Sequence, residues 1–320
     1  MHQVPGVYIG IDVSKDRLEV AVEGSSASLA CHNREAEIAA LVEQLVRLQP
    51  QRVVCEATGG YELNLVLAAV EAGLPLVVAN PRQVRDYARA TGQRAKTDRL
   101  DAQVLARYAR VVAPPLRPLP EAQTRELEAW VTRRRQVVGL LAMEKQRLLQ
   151  ARTPALRASL EGLIQRLQEE VRTLNQRIQA LIEQHQAWSE RKRLLTSVKG
   201  IGETIAAVLL AELPELGRLN PKPIAALAGL APFNFDSGQL RGQRHVYGGR
   251  ASVRCALYQA AQVACRFEPY MQHLYQRFMA QHKPHKVAIT ACARHLLVML
   301  NAMLRDGQPW NPPPIPAQAA

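Results

Sequence analysis

The stretch VYIGIDVSKDRLEVAVEG, residues 7–24, decides the fold. An apolar run over 7–12 ends on Asp12, VSKD makes a short turn, and RLEVAVEG alternates apolar with polar residues. Two extended segments joined by so short a turn read as paired strands, with SLACHN (28–33) as a third. The period then changes. EAEIAALVEQLVRL sets Ile38, Leu41, Leu45 and Leu48 on one helical stripe. A short apolar strand RVVCE (52–56), a helix from Tyr61 to about Ala72 and a second apolar strand over 75–79 follow. A hairpin-like sheet start followed by alternating helices and buried strands predicts a mixed α/β layer fold.

Two of these strands end on acids, Asp12 and Glu56, and Glu56 precedes ATGG, whose glycines permit close approach of a phosphate or metal. Asp98 and Asp101 lie three residues apart on a predicted helix and project from one face. Gathered carboxylates repel one another unless cations neutralise them. Two Mg²⁺ ions about four ångströms apart would do so, and would clamp the attacking and leaving oxygens of phosphoryl transfer. Each acid also has a plainer reading: a turn cap for Asp12, a helix-start acid for Glu56, an N-cap for Asp98. The surroundings favour the joint reading. Residues 82–110 carry Arg82, Arg85, Arg89, Arg94, Lys96, Arg99, Arg107 and Arg110 against Asp86, Asp98 and Asp101, eight minus three, or +5. There a negatively charged site would meet a polyanion, with Arg94 and Lys96 as backbone contacts.

The whole chain repeats that bias. Its 320 residues hold 41 Lys and Arg against 28 Asp and Glu, a net charge of +13, which favours a nucleic acid through counterion release. A hydrophobic fraction of 48% excludes wholesale disorder and allows two compact domains. No amphipathic anchor and no uninterrupted apolar span of membrane length is read, and MHQVPGVYIG lacks a signal-peptide pattern. A cytoplasmic, nucleoid-associated bacterial protein is expected. Cys31, Cys55, Cys255, Cys265 and Cys292 are scattered without a CxxC pair and read as reduced thiols. His282, His285, Cys292 and His295 offer four zinc ligands, but without finger spacing they read as a basic loop entering a core helix.

Four segments are expected. Residues 1–112 form the α/β domain; 113–192 a proline-rich linker and helical hairpin; 193–308 a mostly α-helical domain; 309–320 a proline-rich tail. In the hairpin's second half Leu160, Ile164, Leu167, Val171, Leu174, Ile178 and Leu181 make a heptad seam. Leu127, Val131, Val138, Leu141 and Leu148 make a poorer one, with Arg134 and Lys145 in it. A dimerising coiled coil is the natural use, and an intramolecular pair packed on the next domain is the alternative. In the third segment VKGIGETIA resembles a helix-hairpin-helix. Its turn would direct Lys199 and the backbone N–H groups of Gly200 to Gly202 at a phosphate, without reading sequence.

The acids are laid out as in a ribonuclease-H-like domain, and their wording sharpens this. GIDVSKD (10–16), CEATGGYE (55–62) and KTDRLDAQVLA (96–106) resemble the transposases of insertion sequence family 110, the bridge-RNA-guided recombinases. The resemblance runs from about Val7 to Leu304. It implies a Holliday-resolvase-like domain with Asp12, Glu56, Asp98 and Asp101 on Mg²⁺, a coiled-coil arm, and a serine-bearing helical domain. In AALAGLAPFNFDSGQLRGQRHVYGGR (225–250), Ser237 matches the family's nucleophile. Asp-Ser-Gly alone reads as a turn, with His245 as a candidate base and a metal as the other activator. Arg241 and Arg244 would contact phosphates. The resemblance also implies a covalent phosphoserine intermediate, donor and target DNA, a guiding bridge RNA, and a homodimer or homotetramer.

Three other readings compete. A Holliday-junction-type endonuclease would use the same four acids with water and dispense with Ser237. A sugar-kinase-like phosphotransferase would use GIDVSKD as a phosphate loop but needs a second Asp-x-Gly loop. A basic coiled-coil scaffold would bind DNA and not cut it.

Overall fold

The computed structural model describes residues 6–93, 95, 97–116, 119–234, 236–237, 242 and 244–312. They fall into two compact units, Met1–Leu119 and Pro120–Ala320.

The first unit is built on a five-stranded sheet of β1 (Tyr8–Val13), β2 (Arg17–Val22), β3 (Ser28–His32), β4 (Arg52–Glu56) and β5 (Leu76–Ala79). Their order across the sheet is β3-β2-β1-β4-β5. The first three strands pair antiparallel, as the short turns require, while β4 and β5 join parallel to β1 through helical crossovers. The helices are α1 (Glu35–Arg47), α2 (Leu63–Glu71), α3 (Pro81–Ala90) and α4 (Asp98–Val111). Period-two alternation divides the side chains between two cores. Ile9, Ile11, Val53 and Cys55 pack with Ile38, Leu41 and Leu45 of α1 and Leu65 and Ala69 of α2. On the opposite face, Val54, Val77 and Ala79 pack with Val84 and Ala88 of α3 and Val104, Leu105 and Tyr108 of α4. The mixed α/β expectation holds, with strand ends moved by a residue or two.

The second unit holds α5 (Ala122–Gln150), α6 (Pro154–Gln184), α7 (Gln186–Thr196), α8 (Glu203–Glu212), α9 (Pro221–Leu227), a ribbon of β6 (Pro232–Phe233) and β7 (His245–Val246), α10 (Ala251–Phe267), α11 (Pro269–Ala280) and α12 (His285–Asp306). Helices α5 and α6 form the predicted hairpin, broken where the Thr153 side chain accepts from Leu156 N–H and Pro154 starts α6. Leu127, Val131, Ile178 and Ile182 join a common core with Leu209, Leu257 and Leu296, so the hairpin's base packs within its own chain. Farther out the seam is polar: Arg134 Nε donates to Asn175 Oδ1 at 2.5 Å, and Glu144 is buried against Arg147. Val137 turns inward and Val138 outward, because three-residue steps from Val131 through Arg134 shift the heptad by one.

Helix α12 corrects one sequence expectation. At 22 residues and a mean hydropathy of 1.6 it is long and apolar enough to cross a membrane. Ile289, Cys292, Leu296, Leu297 and Leu300 are buried in the unit's core, which accounts for that composition. Helix α11, which begins at Pro269 with Glu268 capping Met271 N–H, is a separate element within what the sequence predicts only as a helical region.

The contact that fixes α4 on the sheet is backbone to backbone. A Cβ added at Gly10 would overlap the Ala102 carbonyl oxygen and the Ala106 nitrogen. Gly10→Ala should therefore push α4 off β1 and cost roughly 1–3 kcal/mol as overpacking. Urea unfolding of the full chain checks this, and an unchanged midpoint would mean that α4 does not pack so closely on β1.

Candidate active site

The parallel register pairs Gly10 with Val54 and Ile11 with Cys55, so Asp12 and Glu56 come next to each other at the carboxyl ends of β1 and β4. Alternation turns both towards the face that carries α4, the same face as Gly10. Asp12 is also the cross-strand partner of Glu19 on β2. Glu19, Asp12 and Glu56 thus form a lateral row over three strands, all half-buried. Arg17 Nε engages Glu19 at 2.7 Å.

Asp101 is half-buried and adjoins Ala102, the residue against Gly10, so it stands beside the strand that ends in Asp12. Asp98 lies one turn earlier and is exposed. The N-cap of α4 is Thr97, whose hydroxyl accepts from Leu100 N–H at 3.3 Å, so Asp98 is released from the capping role offered as its plainer reading. Both aspartates occupy the first turn, where the helix dipole favours negative charge. A donor set made wholly of carboxylate oxygens suits a hard divalent cation. Among the described residues, however, no group of three His, Cys, Asp or Glu side chains is gathered tightly enough to hold an ion. The backbone brings Asp12 and Glu56 side by side and α4 alongside them, and the acids' side chains are not gathered into one cluster.

The loops after the two strand-end acids are held by residues that the sequence reading does not single out. Glu62 Oε2 accepts from the Thr58 hydroxyl at 2.6 Å, Gly60 N–H at 2.9 Å and Thr58 N–H at 3.2 Å. Partial burial would raise its pKa, but these donors outweigh it and hold the carboxyl below its ordinary value. Gly59 and Gly60 take φ of 81° and 127°, and an added Cβ would meet nothing within 4 Å. The glycines of ATGG are required for backbone conformation, and the space beside them is open. A glutamate just after a GG turn at a helix start was the available signal.

Of the basic residues near the site, Arg99 donates to Ser26 O at 2.8 Å and Arg110 pairs with Glu23 at 2.9 Å, so both serve the fold. Arg82, Arg85 and Arg107 are exposed, and Arg89 makes only a long pair with Asp86 at 3.8 Å. Arg94 and Lys96 lie outside the described residues.

In the second unit Ser237 is exposed in the loop between β6 and β7. Across it, Asp236 Oδ1 accepts from Gly242 N–H at 3.1 Å. The ribbon's base is clamped: an added Cβ at Gly249 (φ 65°) would overlap Gly229 N, and Arg250 N–H donates to Leu227 O at 2.8 Å. Arg250 forks onto Glu215 at 2.5 and 2.7 Å, which holds its pKa above the usual value. His245, the candidate base, and Arg244 are exposed, and Arg241 lies outside the described residues.

A short turn joins α7 to α8 where the sequence suggests a helix-hairpin-helix. Gly200 (φ 100°) is needed because a side chain there would strike Ala260 O and Ala264 N of α10. Lys199 is exposed, and so is Gly202, the N-cap of α8. Gly202 is thus the glycine open to a phosphate. The zinc alternative finds no support in the geometry: Cys292 is buried in the core, and His285 meets the Tyr275 hydroxyl at 2.9 Å.

A family model described as a transposase matches residues 9–153, and one described as the transposase IS116/IS110/IS902 family matches residues 192–276. The chain is 26% identical over 319 residues to the pilin gene-inverting proteins of Moraxella bovis and Moraxella lacunata, across 95% of this chain and 97% of theirs. It is 34% identical over 157 residues to the insertion element IS110 43.6 kDa protein of Streptomyces coelicolor, across 48% of this chain and 36% of that relative.

The Glu62 bonds predict a pH dependence. A carboxyl whose folded pKa is depressed adds stability that is complete above its unfolded value, about 4.3, and lost as pH falls through the folded one. Wild type should therefore be more stable than Glu62→Gln at neutral pH, with the gap closing on acidification. Thermal midpoints across pH measure this, and a constant gap would show that the charge is not what holds the loop.

Proposed function

The chain belongs to the IS110 family of transposases, and we propose that it cuts and rejoins the DNA of an insertion sequence through four carboxylates and a serine nucleophile. The observation that carries the reading is the register that sets Asp12 beside Glu56, on the sheet face crossed by the acidic helix α4. The order β3-β2-β1-β4-β5, with the first three strands antiparallel, supports a ribonuclease-H-like, Holliday-resolvase-like domain. Asp12, Glu56, Asp98 and Asp101 would hold Mg²⁺, two ions on this reading. Bound there, the cation supplies neutralisation of charge on the phosphate as its bonds change.

The chain's own groups do the rest. Ser237 Oγ attacks phosphorus, a Ser–O–P bond forms, and the bond to one deoxyribose oxygen breaks. The serine proton leaves with that oxygen. A second deoxyribose hydroxyl then attacks the phosphoserine and restores serine, so the energy of the phosphodiester is conserved. Rejoining is favoured over hydrolysis by the relatives named for inverting a gene, since inversion requires every cut end to be resealed. The hydrolytic alternative needs the same acids and leaves Ser237 idle. Arg82, Arg85, Lys199, Gly202 and Arg244 are placed on exposed surfaces suited to phosphate backbones, and we assign Arg94, Lys96 and Arg241 to the same role. Such contacts do not read bases, and on this reading a bridge RNA performs that task. Pairing of copies into a dimer or tetramer belongs to the same reading.

With Mg²⁺ and DNA carrying the element's ends, wild type should retain DNA covalently through a denaturing gel. Ser237→Ala, Asp12→Asn and chelated wild type should not. Normal recombination by Ser237→Ala would remove the serine from the mechanism, and strand cutting without an adduct would favour hydrolysis. Arg82→Ala with Arg85→Ala should weaken binding to all DNA sequences alike. The slope of log affinity against log salt should fall by about 0.9 for each phosphate that the variant no longer neutralises. An unchanged slope would place the backbone elsewhere.

A further inference from the structure

Three loops meet where β1 and β4 end: the β1–β2 turn after Asp12, the junction between β3 and α1, and the β4–α2 loop after Glu56. Asn33 sits in the junction and touches both of the others. Its Nδ2 donates to Ser14 O at 2.9 Å and to Tyr61 O at 3.0 Å. Its own N–H donates to Asp16 O at 3.0 Å. Both partners of the amide nitrogen are carbonyl oxygens, so the orientation is forced: only the NH₂ end can serve them, and it uses both hydrogens.

Each of the two loops is separately braced. The Ser14 hydroxyl donates to Arg17 O at 2.9 Å and accepts from Arg17 N–H at 3.1 Å, which closes the turn two residues past Asp12. Glu62 ties Thr58 and Gly60 together just past Glu56. Neither brace reaches the other loop; Asn33 does. An asparagine ahead of a helix would ordinarily cap it. Here the N-cap of α1 is Arg34, which makes no side-chain cap bond, and the Asn33 amide goes to the two loops instead. Its Oδ1 is buried with no hydrogen-bond partner, an energetic cost that a solvent-facing loop residue would not carry.

We infer that Asn33 is a positioning residue for the carboxylate site, acting by stapling the loop that follows Asp12 to the loop that follows Glu56. The inference rests on the reading that these acids hold a divalent cation. Strand pairing sets the two backbones side by side only as far as Ile11 and Cys55, and beyond that point the ladder ends. The staple prolongs the alignment past the last paired residues, where the acids stand. It leaves the acids' chemistry alone and narrows the spread of their separations.

Asn33→Leu keeps the branched shape and removes both donors, and Asn33→Ala guards against the larger leucine not fitting. The test uses the full chain, with Mn²⁺ as the probe in calorimetry and hydrogen exchange at residues 14–16 and 58–61. Exchange should rise in both loops together, and Mn²⁺ affinity should drop about tenfold, a loss of about 1.4 kcal/mol. Saturating Mn²⁺ should restore adduct formation to the Asn33 variants but not to Asp12→Asn. If exchange and Mn²⁺ affinity in both folded variants match wild type, the staple is wrong while the metal reading stands. If Asp12→Asn binds Mn²⁺ like wild type, the inference falls with the metal reading, whatever the loops do. A loss that saturating Mn²⁺ fails to rescue would make Asn33 more than a positioning residue and would also overturn it.

Discussion

The close approach of α4 to β1 at Gly10 is the constraint on which the first unit depends. A helix ordinarily stands off a sheet by the thickness of side chains from both. Here one of the two layers is missing, because glycine offers no Cβ and Ala102 and Ala106 offer only small ones. The helix is thereby indexed along the strand as well as against it. That indexing sets the acidic first turn of α4 at a fixed offset from Asp12. On the proposed reading, the glycine of GIDVSKD therefore helps place the site that the aspartate two residues on would line.

The second unit uses the same device at the serine loop. Gly229 and Gly249 bring two backbones into a contact that any side chain would break. Arg250, forked onto Glu215 and donating also to Glu212 O, anchors the start of α10 directly behind. Glu212 itself is buried, bonded to Arg135 of α5 and to the Ser252 hydroxyl. A charge there would be costly without such partners. The network joins the base of the hairpin, the end of α8 and the exit of the serine loop. On the proposed reading, a rigid base under an exposed serine would let a nucleophile meet a large substrate without its loop collapsing.

Much of the first unit was legible in the sequence because its signals are local. Alternation in 7–24 and the short apolar runs ending at Glu56 and Ala79 identify strands, and acids that end such runs stand out. Unit boundaries and packing partners were harder. The heptads of α6 say that a partner exists, but α6 packs on α8 as well as on α5, which no periodicity announces. The membrane-length apolarity of α12 was missed for a related reason, since a helix buried on several sides has few polar positions to interrupt it. Asn33 was invisible for another. Its amide partners are main-chain carbonyls, which leave no trace in residue identity.

The row Glu19, Asp12, Glu56 raises a question of charge. Three acids abreast on neighbouring strands oppose one another, because like charges across a ladder destabilise it. Arg17, two residues from Glu19 on the same strand face, answers the first of them within its own strand. Asp12 and Glu56 lie farther along the row, on the sheet face where α4 contributes Asp98 and Asp101. On the proposed reading a bound cation would relieve the repulsion among these acids. On the same reading, the exposed arginines of α3 would attract the phosphates that such a cation meets. Holding a polyanion and holding its counter-charge oppose each other electrostatically, and the proposed arrangement would give the first to a helix surface and the second to strand ends.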